Sequence, residues 1–137
     1  TIQYNKLKSI IKNLKLKIKI NSFIEIILLN LNKCKPASEL FYSKLLFTEK
    51  DGWEREFIVK EGRIDAINHS QKRLVELKFL DGWKGALGQI LAYSQSFNKS
   101  YSLEIWLLFE NNLNQKTRKI IEETCKFYNV KPNFIEI

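Results

Sequence analysis

The chain has 137 residues, of which 45% are hydrophobic and 12% aromatic, so one compact domain is expected and wholesale disorder is excluded. No segment reaches the ~18 to 20 consecutive apolar residues of a membrane-spanning helix, and we expect no membrane partner. The formal net charge of +8 favours a polyanion as the binding partner.

The positive charge is concentrated at the beginning of the chain. Residues 1–35 contain eight lysines and a single acid, Glu25, for a net charge of +7, and the remaining residues carry +1. Lysines that approach phosphates release condensed counterions, so this basic segment predicts contacts with the backbone of DNA. A coding bias toward lysine, which outnumbers arginine 19 to 4, is an alternative source of the excess but does not explain the scarcity of acids. The candidate backbone contacts are Lys12, Lys15, Lys17 and Lys19.

The two cysteines, Cys34 and Cys125, are far apart and lack the spacing of metal ligands. They are predicted to be free thiols or small core residues, which indicates an intracellular, reducing compartment. The chain begins at Thr1 rather than Met, so a targeting segment before it is left open.

The predicted elements follow from hydrophobic periodicity and turn residues. Within residues 1–30, some apolar residues are spaced as in a helix and others alternate with lysines as in a strand, so both possibilities remain open. A helix is then predicted to begin at Ser38, whose side chain can cap it. The elements after it are strands over residues 54–60, 63–68 and 73–80, a helix over 83–97, a strand over 103–109, a helix over 114–128 and a strand over 133–137. This α-β-β-β-α-β-α-β order predicts an α/β domain with a mixed sheet flanked by helices.

Turn lengths predict how the first three strands pair. A two-residue turn at Glu61-Gly62 pairs Ile58 with Asp65, and a four-residue loop over residues 69–72 places Asp65 opposite Glu76. Alternation then sorts the side chains onto two faces. The predicted core face carries Phe57, Val59, Ile64, Ala66, Val75, Leu77 and Phe79. The predicted polar face carries Glu56, Lys60, Arg63, Asp65, Glu76 and Lys78.

The polar face contains residue types suited to phosphodiester hydrolysis. Two opposed carboxylates such as Asp65 and Glu76 repel each other, and a divalent cation between them would reverse the sign of that interaction. Mg²⁺ prefers oxygen ligands and often uses one or two carboxylates. Lys78 points the same way and is suited to orient or deprotonate a water and to stabilise phosphate charge. Taken alone, Glu-x-Lys in a strand is common and equally fits an exposed face on which Lys78 neutralises Glu76.

Three segments in order resemble the PD-(D/E)xK nuclease superfamily over roughly residues 38–109. They are Gly62-Arg-Ile-Asp65, Val75-Glu-Leu-Lys-Phe79 and Trp83-Lys-Gly-Ala-Leu-Gly-Gln-Ile-Leu-Ala-Tyr93. The resemblance implies a restriction-endonuclease-like core that hydrolyses phosphodiesters with Mg²⁺ or Mn²⁺. It makes residues 1–137 a single nuclease domain, with the basic segment 1–35 before the core and a C-terminal helix and strand over 110–137.

The resemblance also assigns roles to individual residues. Asp65 and Glu76 match the two acids of the motif and Lys78 its lysine, whereas Ile64 stands where the superfamily's name has proline. Gln89 and Tyr93 match the Gln-x-x-x-Tyr feature of several branches. They are one helical turn apart and share a face, which is expected to turn toward the catalytic centre.

Further candidates surround this centre. Many members of the superfamily use one more acid from the helix before the strands, and Glu39 is placed for it. The alternative is that Glu39 only interacts with the helix dipole. Glu56 competes for the ligand role because it shares the predicted polar face. Arg63 and Lys84 are candidate phosphate contacts.

The single histidine and the three tryptophans are further candidates, each with an ordinary structural role as the alternative. His69 falls in a polar loop, which favours a solvated turn residue over a catalytic base. Trp83 and Trp106 fit core positions. Trp53, beside a turn, is the one tryptophan to test for contact with substrate.

The sequence therefore predicts a metal-dependent DNA endonuclease. A homodimer is one expectation, because symmetric cutting of two strands favours two active sites. Two alternatives stay open: a catalytically silent DNA-binding or assembly protein with the same fold, and an RNA endonuclease of the superfamily. The RNA enzymes often place a histidine at the metal, and His69 is not obviously placed for that.

Overall fold

The computed structural model describes Gln3, Asn5, Lys6 and residues 38–137. The ambiguous stretch, Cys34 and the four lysines proposed to contact DNA therefore lie outside the described residues. The elements, in chain order, are helix α1 (Glu39–Leu46), strands β1 (Trp53–Val59), β2 (Gly62–Asn68) and β3 (Arg73–Phe79), helix α2 (Trp83–Tyr93), strand β4 (Ser102–Phe109), helix α3 (Gln115–Phe127) and strand β5 (Val130–Glu136). This confirms the predicted order.

The five strands form one mixed sheet in the order β1-β2-β3-β4-β5. The first three are antiparallel neighbours, and β3, β4 and β5 are parallel. Parallel neighbours need crossover connections, which α2 and α3 provide. The predicted α/β class and mixed sheet are confirmed. None of the helices in the described part of the chain is long and apolar enough to cross a membrane.

Helices cover both faces of the sheet, so the prediction of one apolar and one polar face is wrong. Helices α2 and α3 pack on one face through Ile90 and Ile121, and α1 packs on the other through Leu46. Two hydrophobic clusters result. The cluster under α2 and α3 takes Phe57, Val59 and Ile64 of the predicted core face, and the cluster under α1 takes Ala66, Val75, Leu77 and Phe79.

The predicted faces fail at one point in β2. Ile64 and Ile67, three residues apart, both belong to the cluster under α2 and α3, whereas Ala66 between them belongs to the cluster under α1. Regular alternation would put Ile64 and Ala66 on the same face. The alternation is therefore interrupted at Asp65, and the strand changes its course there.

The two connections in the three-strand meander differ in how well turn length predicted them. Asn68 pairs with Arg73, as predicted for a four-residue loop. The buried Asn68 side chain holds this loop, since its Oδ1 accepts hydrogen bonds from the Ser70 hydroxyl and the Gln71 N–H. The first hairpin turns at residues 60–61, so Ile58 pairs with Arg63 and not with Asp65.

Gly62 explains the shift in the first hairpin. It has a φ of +150°, a backbone conformation that favours glycine, and it is the first residue of β2. A Cβ atom at this position would lie 3.1 Å from a ring carbon of Tyr93. The glycine is therefore needed for close contact with α2, and it is not part of the turn.

A buried ion pair joins β3 to β4. Glu104, 3% exposed, accepts two hydrogen bonds from the Arg73 guanidinium, at 2.6 and 2.9 Å, and one from Trp106 Nε1 at 3.2 Å. The guanidinium carbon also lies 4.8 Å from the ring centroid of Trp53. Trp53 is 8% exposed, so the expectation that it contacts substrate is wrong, because the ring is part of the core under α1.

Removing Arg73 should be costly because Glu104 would remain buried without its partner. We expect Arg73→Ala to lower the free energy of unfolding by roughly 3–5 kcal/mol in urea denaturation. The matched control is Arg118→Ala, which breaks the exposed pair with Glu122 and should cost about 0–1 kcal/mol. Equal losses in the two variants would contradict a stabilising role for the buried pair.

Candidate active site

The candidate site lies where β2 and β3 separate. The backbone pairing of these strands runs from Asn68–Arg73 to Ala66–Val75 and stops there. Beyond this point the strands are joined through side chains.

Two hydrogen bonds make this connection. The Asp65 N–H donates to Glu76 Oε1 at 3.2 Å, and the Leu77 N–H donates to Asp65 Oδ2 at 2.7 Å. Each carboxylate thus occupies the gap that a direct strand-to-strand bond would close. The structure brings Asp65 and Glu76 together, as the sequence predicted. They meet through side-chain hydrogen bonds where the strands have separated, and not as directly paired residues of two hydrogen-bonded strands.

The surroundings of this pair disfavour two negative charges. Burial raises the pKa of Glu76 to about 8, and the charge of Asp65 adds to the effect. Burial also raises the pKa of Asp65, although the Leu77 N–H and the Lys78 charge oppose it. Two buried carboxyl groups in contact retain a proton between them at neutral pH unless a cation neutralises them.

A small cavity of about 140 Å³ opens beside Asp65. Burial raises the pKa of Glu39, one of its lining residues, while the charge of Lys78 lowers it. Oε2 of Glu39 is buried and has no hydrogen-bond partner among the residues that the structure describes. Ser38 caps α1 by accepting from the Phe41 N–H, which fixes the first turn that carries Glu39. The cavity is lined by Glu39, Leu40, Ser43, Glu56, Asp65, Leu77 and Lys78.

Glu56 lines the same cavity but differs from Glu39 in its setting. Its backbone has a φ of +56°, and its side chain is exposed. Glu39 carries the buried, unpaired oxygen, so it has more to gain from a bound cation than Glu56. The arrangement favours Glu39 over its competitor as a further oxygen ligand.

The predicted trio of acidic ligands does not converge. Within residues 38–137 and the three described N-terminal residues, no group of three or more His, Cys, Asp or Glu side chains is placed to hold a metal ion. Glu39 approaches from α1, whereas Glu76 lies two residues beyond Leu74 and so faces α2. Glu39 lines the cavity together with Asp65 and Lys78, and Glu76 is not one of its lining residues.

The donors that do meet still fit Mg²⁺ or Mn²⁺. Asp65 and Glu76 form a buried pair of hard oxygen donors whose repulsion a dication would remove. Mg²⁺ is commonly held by one or two carboxylates, with water and substrate phosphates as the other ligands. The fit is thus to a cation held by two protein carboxylates.

Tyr93 lies at this site, as the sequence predicted for its helix face. Burial raises the pKa of its hydroxyl, and the charge of Glu76 raises it further, while the backbone N–H of Arg63 donates to it. Gln89 is on the same side of α2, one turn earlier, and its Oε1 is buried without a partner in the described part of the chain. A contact between Gln89 and Lys78 stays a prediction.

The three remaining candidates lie at different distances from the carboxylates. Arg63 is exposed, and its charge lowers the pKa of Asp65. Lys84 is exposed on α2, with Nζ 5.7 Å from the ring centroid of Trp83. His69 sits in the loop after β2, where its Nδ1 is 3.2 Å from the Tyr101 hydroxyl, so the prediction of a loop residue is confirmed.

Two residues of the site were missed by sequence reasoning. Ser43 lines the cavity and accepts a hydrogen bond from Arg55 Nε at 3.0 Å, which ties α1 to β1. It follows Glu39 by four residues, and this helical spacing was a usable signal. Gly62 contacts Tyr93, and no local pattern announces a contact between a hairpin and a distant helix.

No family model and no solved structure matches the chain. Over 83 residues it is 36% identical to a putative KilA-N domain-containing protein, L33, of Acanthamoeba polyphaga mimivirus. The match covers 60% of this chain and 31% of the viral protein, so the chain spans less than a third of that relative.

The raised pKa of Glu76 predicts how stability changes with pH. As pH rises, the unfolded chain loses this proton near the ordinary value of 4.5, and the folded chain keeps it up to about 8. The folded state binds more protons in this window, so the free energy of unfolding should fall as pH rises through it. In EDTA, thermal unfolding should show a loss on the order of a few kcal/mol between about pH 5 and pH 9.

Glu76→Gln is the control for this effect, because the amide keeps the shape and cannot ionise. It should remove most of the pH dependence and be more stable than the wild type at alkaline pH without metal. A wild type and a variant with parallel pH profiles would show that Glu76 is not the titrating group.

Proposed function

We propose that this domain is a metal-dependent DNA endonuclease with a restriction-endonuclease-like core. The observation that carries the proposal is the contact between the half-buried Asp65 and the buried Glu76 in the gap between β2 and β3, with Lys78 beside Asp65 in the cavity. The two carboxylates accept backbone N–H groups in this gap, and their mutual repulsion and burial would be relieved by a bound dication. Their placement suits a dication and a phosphodiester.

The proposed roles follow from the geometry. Asp65 and Glu76 offer oxygen ligands for Mg²⁺ or Mn²⁺, which when bound would supply positive charge at the scissile phosphate. Lys78 lines the cavity, where its ammonium group can orient an attacking water and stabilise the phosphate. Tyr93 lies near Glu76 and Lys78, and with Gln89, one turn earlier on α2, it would position Lys78 or the substrate.

Basic residues would hold the DNA backbone around the site. Arg63 is exposed and its charge acts on Asp65, and Lys84 is exposed on α2; both are suited to phosphate contacts. The lysine-rich residues 1–35 would add contacts that do not depend on sequence. Two copies acting as a homodimer would cut both strands symmetrically.

The second candidate is a catalytically silent DNA-binding protein with the same fold. Two observations favour it: the three acids do not converge in the described residues, and the similar viral protein is named for a KilA-N domain. That likeness supports a DNA partner and is silent on catalysis. The RNA endonuclease has less support, because His69 contacts Tyr101 and Glu54 and not the carboxylates.

Cleavage of labelled DNA tests the proposal directly. Duplex, single-stranded and four-way-junction DNA, with single-stranded RNA in parallel, would each be incubated with Mg²⁺, with Mn²⁺ and with EDTA. We expect metal-dependent cutting, and we expect Asp65→Ala and Lys78→Ala each to reduce the rate at least about 100-fold, because they remove a ligand and a charge that act at the phosphate.

Matched controls are Glu49→Ala and Lys116→Ala, which remove the same kinds of charge from exposed positions outside the cavity. Both should cut at the wild-type rate. DNA binding without cutting in any metal would support the silent binding protein, and variants of Asp65 that cut normally would overturn the assignment of the site.

The choice between Glu39 and Glu56 has its own test. If Glu39 is a further ligand, Glu39→Gln should raise the Mn²⁺ concentration needed for half-maximal cutting about tenfold, since a neutral amide is a weaker ligand. Glu56→Gln, on the other wall of the cavity, should change it little. The opposite ranking would assign the role to Glu56, and no change in either would leave Asp65 and Glu76 as the protein ligands.

A further inference from the structure

An open groove lies at the other end of the sheet from the candidate site. Its volume is about 900 Å³, and its walls are α3, the beginning of β5 and the loop over residues 97–102. Ser102 of this loop pairs with Arg73, whereas Lys78 of the site is five residues further along β3. The two regions are thus separated by roughly 17 Å along the strand.

Some of the lysine side chains in the groove have no ion-pair partner among the described residues. Its two acids are both neutralised by neighbours on α3: Glu122 by Arg118 at 2.9 Å and Glu123 by Lys119 at 4.0 Å. Three exposed lysines on its walls form no ion pair with any other described residue. They are Lys99, Lys126 and Lys131.

Aromatic rings are interleaved with these lysines. Tyr128 lines the groove, is 47% exposed, and contacts the ring of Phe127 at a centroid distance of 5.0 Å. Phe127 is 82% exposed and so contributes little to the core. On another wall Phe97 and Tyr101 lie 5.0 Å apart, but both are partly buried against the cluster under α2 and α3, so Tyr128 is the exposed ring of the groove. Folding does not require exposed rings beside unpaired lysines, which indicates a ligand with both negative charge and flat apolar surfaces.

We infer that this groove binds single-stranded DNA. Unpaired bases expose the faces that aromatic rings stack on, whereas a duplex keeps those faces inside its own stack. Phosphates would supply ion-pair partners for Lys99, Lys126 and Lys131, which form none with the other described residues. The identity of the polymer as DNA rests on the proposed function, and the groove extends it to a substrate that has an unpaired stretch.

Binding can be measured without cleavage. Fluorescence anisotropy in EDTA would follow a labelled oligothymidylate about 16 nucleotides long and a duplex of matched length, over a series of salt concentrations. Removing the three lysines together (Lys99→Ala, Lys126→Ala, Lys131→Ala) should weaken single-strand binding. It should also reduce the slope of log K against log salt by about 2, since each lost phosphate contact removes about 0.7.

A triple variant on other surfaces (Lys44→Ala, Lys50→Ala, Lys116→Ala) carries the same net charge and is the matched control. It should keep the wild-type salt slope. If both triple variants lose the same slope, the effect is one of net charge and the groove is not the binding site.

Stacking is tested separately. Tyr128→Ala should weaken oligothymidylate binding about tenfold and leave duplex binding unchanged, and Tyr128→Trp should retain binding. Phe127→Ala, at an 82% exposed position, gives a second variant that leaves the core intact. Equal losses for single strand and duplex would overturn the inference. These measurements use EDTA and so do not depend on cleavage. A failure to cut DNA would contradict the proposed nuclease activity alone, and a failure of the groove to bind single-stranded DNA would contradict this inference alone.

Discussion

The separation of β2 from β3 beyond the Ala66–Val75 pair is the constraint on which the rest of the molecule depends. Two strands that part inside a sheet leave backbone N–H groups that need acceptors. Asp65 and Glu76 supply them, and doing so places both carboxylates in a buried position. The interruption of side-chain alternation at Asp65 belongs to the same event, and it places Ala66 in the cluster under α1 although Ile64, two residues earlier, lies in the cluster under α2 and α3. Backbone satisfaction and the candidate chemistry are therefore inseparable at this position.

The two ends of β3 carry charged residues in different settings. Its first residue, Arg73, forms a bidentate ion pair with Glu104, in which both charges are matched and hydrogen-bonded. Near its later residues, Glu76 and Lys78, two acids face one lysine, because Asp65 adds a second carboxylate. Burial disfavours the charged form of both acids. A site that is electrostatically incomplete on its own is what a cation-dependent reaction needs. The stable end of the strand holds the other end in place.

Local sequence patterns predict most of the secondary-structure elements, and the features they do not predict depend on contacts between residues far apart in the chain. Element order follows from periodicity and turn residues, and the four-residue loop was enough to bring Asp65 near Glu76. The turn of the first hairpin lies one residue earlier than predicted because Gly62 packs against the ring of Tyr93, which is 31 positions later in the chain. The pairing of Arg73 with Glu104, also 31 residues apart, joins parallel strands and leaves no periodic trace. A second covered face was missed because a strand with mixed burial looks the same in sequence whether one or two layers of helix pack on it.

The edges of the sheet have a consequence for association between molecules. β1 pairs with β2 on either side of Glu56, whose left-handed backbone breaks the regular outline of that edge. At the opposite edge, β5 contains Pro132, which has no N–H to donate. Irregular or proline-containing edge strands resist the edge-to-edge addition that leads to aggregation. As far as the described strands are concerned, these edges disfavour a continuous intermolecular sheet and favour association through helices or loops.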